Sequence, residues 1–98
     1  MVAMDETRQH APTDRVAEAR AVLEDRIRIL GPDHPDTLKV RDGLAASLNE
    51  AGRAQEAIDE LRAVLEDRIR VLGPDHPDTV KTRDSLEIWR EQAGSSTP

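Results

Sequence analysis

Between residues 54 and 72 the apolar side chains Ile58, Leu61, Leu65, Ile69 and Leu72 fall three or four positions apart. Ala57, Val64 and Val71 lie one position to the side, which widens the stripe as for a helix packed on more than one neighbour. Residues 14–30 carry the same pattern in Val16, Ala19, Val22, Leu23, Ile27 and Leu30. Residues 35–51 carry it in Leu38, Val40, Leu44, Ala45, Leu48 and Ala51, and residues 77–93 in Val80, Leu86, Ile88 and Trp89. No window alternates with period two for long enough to make a strand. The pattern predicts an all-α chain of four helices.

The helices are not independent. From residue 21 to residue 45 the chain repeats itself at 63–87, a constant offset of 42, with changes only at Ile29/Val71, Leu38/Val80, Val40/Thr82, Gly43/Ser85 and Ala45/Glu87. The phrase "LGPDHPDT" stands in both copies, at 30–37 and 72–79. Its residues read as punctuation. Gly31 offers backbone angles closed to other residues, and Pro32 cannot continue a helix, so a helix stops at Leu30. His34 precedes a proline and is pushed toward the β region, the conformation of an N-cap. Pro35 suits the first helical position, and Asp36 complements the dipole of the first turn. Gly73, Pro74, His76, Pro77 and Asp78 repeat the arrangement.

A metal or acid–base site built from Asp33, His34 and Asp36, or from Asp75, His76 and Asp78, is the competing reading. Zinc wants three or four convergent ligands, and each turn supplies one imidazole. The chain has no cysteine and no tyrosine, and its serines show no spacing to a base, so no catalytic group, metal or cofactor is expected.

Composition narrows the class further. With 98 residues the chain fits one small domain, and with Trp89 as its single aromatic the core must come from Leu, Ile, Val and Ala. A formal charge of −6 disfavours nucleic acid and anionic lipid. No stretch reaches the roughly 20 apolar residues of a membrane span, and the first fifteen residues lack the apolar run of a leader. A cytoplasmic protein is expected. The expected layout is a disordered N-terminal arm over 1–13, a helical repeat domain over 14–93 and a disordered C-terminal tail over 94–98.

"GPDHPDT" followed by "LAASLNEAGRAQEAIDELRAVLEDRIRVLG" resembles the 42-residue tetratricopeptide repeat of the kinesin light chain type, widespread in bacterial multi-repeat proteins. Leu44, Ala45, Leu48, Gly52, Ala57 and Leu61 match its signature of leucine, small, large apolar, glycine, alanine and large apolar residues. Val64 and Ala54 depart from it, standing where alanine and an aromatic are usual. HEAT repeats share the period but not the Gly-Pro turn. The resemblance implies a short α-solenoid of antiparallel helix pairs, non-catalytic, whose first helices line a groove for a protein or peptide. The groove positions would be Lys39, Asp42, Ala46, Asn49, Lys81, Asp84, Ile88 and Glu91. The acidic residues among them argue against a clamp for a C-terminal carboxylate.

Solenoid units bury their apolar faces only against neighbours. At offset 42, Ala45 becomes Glu87, Leu48 becomes Arg90 and Ala57 becomes Arg15, so both ends are made polar, as for a self-contained protein. Val22, Leu23 and Ile27 stay apolar, and Ile88 and Trp89 add apolar area on the last helix. These five residues are the expected face for self-association, as a twofold dimer. Trp89 has a second expected place, in the core. The charge runs "EDRIR" at 24–28 and 66–70 are expected to lie on solvated faces with Glu–Arg pairs at i,i+4. The alternative to a binding module is a structural remnant of a longer regulator, without a partner of its own.

Overall fold

The computed structural model describes residues 12–95. It contains α1 (Pro12–Leu30), α2 (Pro35–Glu50), α3 (Ala54–Leu72) and α4 (Pro77–Ser95), with no strand among the described residues. Each helix packs on the one before it, giving a short α-solenoid. Two boundaries need correction. The expected arm over 1–13 loses its last two residues to α1, and the tail over 94–98 loses its first two to α4. The rest of the arm and tail lies outside the described residues.

The helix ends follow from the turn chemistry. Gly31 and Gly73 take φ of +90° and +95°, where a side chain would be strained. Their N–H groups donate to the carbonyls of Ile27 and Ile69 at 2.9 and 3.0 Å, satisfying groups that the helix ends leave open. His34 is extended (φ −63°, ψ 140°), and its Nδ1 accepts the N–H of Asp36 at 3.1 Å. His76 accepts the N–H of Asp78 at the same distance. Both histidines are caps. The threonine that closes the phrase has a separate task. Thr37 and Thr79 are fully buried, and their hydroxyls donate to the carbonyls of Arg26 and Arg68 on the preceding helix, at 3.5 and 3.4 Å.

The core lies in two patches. Val16, Leu44, Leu48 and Ala57 form one, with Ala19, Leu23 and Ala51 packed against it; Ala45, Ile58, Leu61 and Leu86 form the other, with Leu65 and Ala93. Trp89 packs against both while remaining partly exposed, and so joins α4 to the patch shared by the first three helices. Ala45 and Ala57 are fully buried.

The seam between α2 and α3 is also electrostatic. Arg41 reaches Glu60 at 3.3 Å and Asp67 at 2.5 Å. Arg70 grips Asp33 with two nitrogens, at 2.8 and 3.1 Å, and touches Asp67 at 3.1 Å. Arg68 is 4% exposed; its Nη1 donates to Asp42 at 3.3 Å and to the Thr82 hydroxyl of α4 at 2.5 Å. The second charge run is therefore not the solvated face expected. Arg68 is buried, and Arg70 pairs across helices and at i,i+3 rather than with Glu66. Hydrogen bonds from Arg41 hold the Asp67 carboxyl below the usual carboxylate range, against the opposing effect of burial, and Arg70 does the same for Asp33. Desolvation works against the charge of Arg41, yet its bonds to Asp67 and Glu60 keep it above its ordinary value.

Two outcomes follow from these contacts. Replacing either cap, in His34→Ala or His76→Ala, should cost about 0.5–2 kcal/mol in thermal or urea melts, with added zinc leaving the melting temperature unmoved. The carboxyl of Asp67 is depressed on folding, so its contribution is full above its unfolded value near pH ~4 and disappears as pH falls through the lower folded value. Asp67→Asn should therefore destabilise the protein at pH 7, and the gap from the parent should narrow in melts taken at progressively lower pH below about 4. A gap that stays constant over that range would show that the ion pair is not its source.

Candidate functional site

The eight groove positions lie on α2 and α4, four on each. Lys39, Ala46, Lys81, Asp84, Ile88 and Glu91 are exposed, and Asp42 and Asn49 are partly covered. Asp42 is committed to Arg68. Lys39, Asn49, Lys81, Asp84 and Glu91 carry no side-chain hydrogen bond or ion pair among the described residues. Ile88 is 51% exposed, and its counterpart Ala46 is exposed as well, so both helices turn this position to solvent.

The five residues of the expected self-association face do not share one environment. Leu23 and Trp89 turn toward the core patches, whereas Val22, Ile27 and Ile88 are exposed. The repeat separates exposure that belongs to a position from exposure that belongs to an end of the stack. Ile27 and its counterpart Ile69 are 41% and 39% exposed, so that position faces solvent wherever it occurs. Val22 is 42% exposed while its counterpart Val64 is fully buried, and Val80 is 37% exposed while Leu38 is fully buried. Val22 on the first described helix and Val80 on the last are therefore exposed at positions that the repeat covers elsewhere.

A surface pocket of about 260 Å³ opens between α1 and α2, lined by Arg26, Asp36, Lys39 and Val40. The periodicity of apolar residues gave no sign of it, since three of its four residues are charged. Its signal is one mismatch: Arg26 is the counterpart of buried Arg68, but Val40 stands where Thr82 bonds that arginine. Arg26 makes no side-chain bond among the described residues, leaving a half-covered guanidinium beside a lysine. With Arg26 and Lys39 set against the one carboxylate of Asp36, the lining is net positive and suits a carboxylate.

Among the described residues, no three or more His, Cys, Asp or Glu side chains gather so as to hold a metal ion. No described helix is long and apolar enough to cross a membrane.

No curated protein matches the chain. A family model described as tetratricopeptide repeat matches it twice, over residues 1–36 and 37–78. The second match is 42 residues long and covers α2 from its third residue together with all of α3 and their connecting turn, the pairing that the resemblance implied. Together the matches span most of the sequence, and with the stacked helices and the recurring Gly-Pro-Asp-His-Pro turn they show that the chain belongs to the tetratricopeptide repeat family.

Proposed function

We propose that this chain is a non-catalytic module that binds protein, and that copies of the chain itself are among its partners. The tetratricopeptide repeat is an interaction repeat, so a protein partner follows from the family. The finer statement rests on one observation. Val22 is 42% exposed at a position that is fully buried one repeat later, which is the mark of a face built for a neighbouring helix. A stack this short buries little apolar area, and covering that face would add to it.

The groove on α2 and α4 is the second surface of the module. Lys39, Lys81, Asn49, Asp84 and Glu91 offer both signs of charge around Ala46 and Ile88, which fits an amphipathic peptide of mixed charge better than a purely acidic one. A cytoplasmic setting belongs to the same proposal.

Sedimentation equilibrium at micromolar concentration should give an average mass above that of one chain, and the melting temperature should rise with concentration. Val22→Glu should lower the mass toward one chain while circular dichroism keeps the parent's helicity, because the side chain is already in solvent. A parent that stays a folded monomer at every concentration would remove self-association from the proposal and leave the groove as its remaining surface.

A further inference from the structure

An offset of 42 residues carries α3 onto α1 residue for residue, since 54–72 becomes 12–30, and it carries α2 onto the first sixteen residues of α4. The described residues thus hold two junctions of one kind, α1–α2 and α3–α4, and one of a second kind, α2–α3. Half of a further junction of that second kind is presented by α4, and the other half by α1. Neither half meets its complement among the described residues.

Four ion pairs cross the α2–α3 junction: Arg41 with Glu60 and Asp67, Asp42 with Arg68, and Asp33 with Arg70. Every partner has its own residue type at the offset. Arg83 would face Glu18 and Asp25, Asp84 would face Arg26, and Asp75 would face Arg28. Glu18 lies outside the nearly identical block; over residues 12–20 only Glu18 and Arg20 match their counterparts. Glu18, Arg26, Asp75 and Asp84 have no ion-pair partner among the described residues, and Arg83 makes only a 3.4 Å bond to the Pro74 carbonyl. Asp25 pairs with Arg28 through one oxygen, as Asp67 pairs with Arg70. In Asp67 the other oxygen goes to Arg41.

The apolar and cavity evidence agrees with the charges. Val80 and Val22 are exposed where their counterparts Leu38 on α2 and Val64 on α3 are fully buried. The pocket opens beside the guanidinium of Arg26, whose counterpart Arg68 is reached by both Asp42 and Thr82 one repeat later. Even the polar replacements are compatible, since Glu87 and Arg15 take the places of Ala45 and Ala57 with opposite signs.

We infer that a second copy of this chain docks head to tail, its α4 lying on α1 of the first copy as α3 lies on α2, with its Asp84 in the pocket at Arg26. This rests on the self-association proposed above and fixes its mode as heterologous rather than twofold. Each added copy presents the same two faces again, so the series is open. Arg90 in place of Leu48 makes the junction more polar than its internal model, and the association is reversible.

Two double variants, one for each face, test the inference. Asp75→Lys/Asp84→Lys reverses charge on the α4 side, and Glu18→Lys/Asp25→Lys on the α1 side; all four side chains are exposed. In sedimentation the parent's average mass should climb past two chains with concentration. Each variant alone should stay a monomer to at least tenfold higher concentration, with the parent's circular dichroism. Mixed one to one, they should give twice the chain mass and no more, because one intact face of each remains. Should a double variant lose helicity, Asp84→Asn and Glu18→Gln replace them, with a several-fold weakening expected in each alone. Variants that assemble alone like the parent, or a mixture no heavier than its parts, overturn the head-to-tail mode while self-association stands. A parent that remains a monomer overturns both.

Discussion

One buried cation sets the register of the stack. Arg68 lies on α3 with its guanidinium enclosed, and removing such a charge from water costs several kcal/mol unless partners compensate for it. The compensation comes from both sides: a carboxylate of α2 through Asp42 and a hydroxyl of α4 through Thr82. The Thr82 hydroxyl in turn donates to the Asp78 carbonyl at 2.9 Å, so the contact is tied to the first turn of α4. A slip of either neighbour by one turn, about 5.4 Å, would strand the charge. The apolar core could not enforce this by itself. It is built from Leu, Ile, Val and Ala with a single tryptophan, side chains whose packing tolerates rearrangement better than a buried charge tolerates losing its partners.

How much of this can be read from the chain depends on how far apart the interacting residues lie. Helix existence, type and ends are local properties, set by stripe spacing and by the Gly-Pro and His-Pro steps, and the structure places them within two residues of expectation. The histidine caps were legible for the same reason, since His34 and Asp36 are neighbours. Arg68 was not. Inside "EDRIR" an arginine reads as surface, and it is buried because Asp42 and Thr82 arrive from 26 and 14 residues away. Thr37 and Thr79 escaped notice likewise, each bonding a carbonyl eleven residues back.

Among the candidate surface residues, sequence alone could not separate side chains of equal apolarity. Val22, Leu23 and Ile27 look alike as letters on one helix. The structure turns Leu23 inward, leaves Ile27 as exposed as Ile69, and leaves Val22 bare where Val64 is covered. Trp89 had two expected places, and its size lets it pack against both core patches while part of the ring stays in solvent. The pocket at Arg26 was invisible to a search for apolar stripes, because it is defined by a charge whose partner is missing. Comparison of each position with its own repeat, in exposure and in bonding, recovers what a single pass along the chain cannot.

Electrostatics acts in two opposed ways on any contact between copies. Each carries a formal charge of −6, so approach is repulsive at long range, while the facing residues Arg83, Asp84, Asp75, Glu18, Asp25, Arg26 and Arg28 are complementary at contact. These terms differ in range. At physiological ionic strength the screening length is about 8 Å, which weakens repulsion between chain centres but acts less on pairs that close in a covered seam. Complementary pairs of this kind select orientation and partner more than they add affinity. Affinity must then come from burying Val22 and Val80, and two valines with polar neighbours supply little. An end that keeps the charges of the internal seam and gives up its alanines and Leu48 therefore favours a contact that is specific in geometry and readily released.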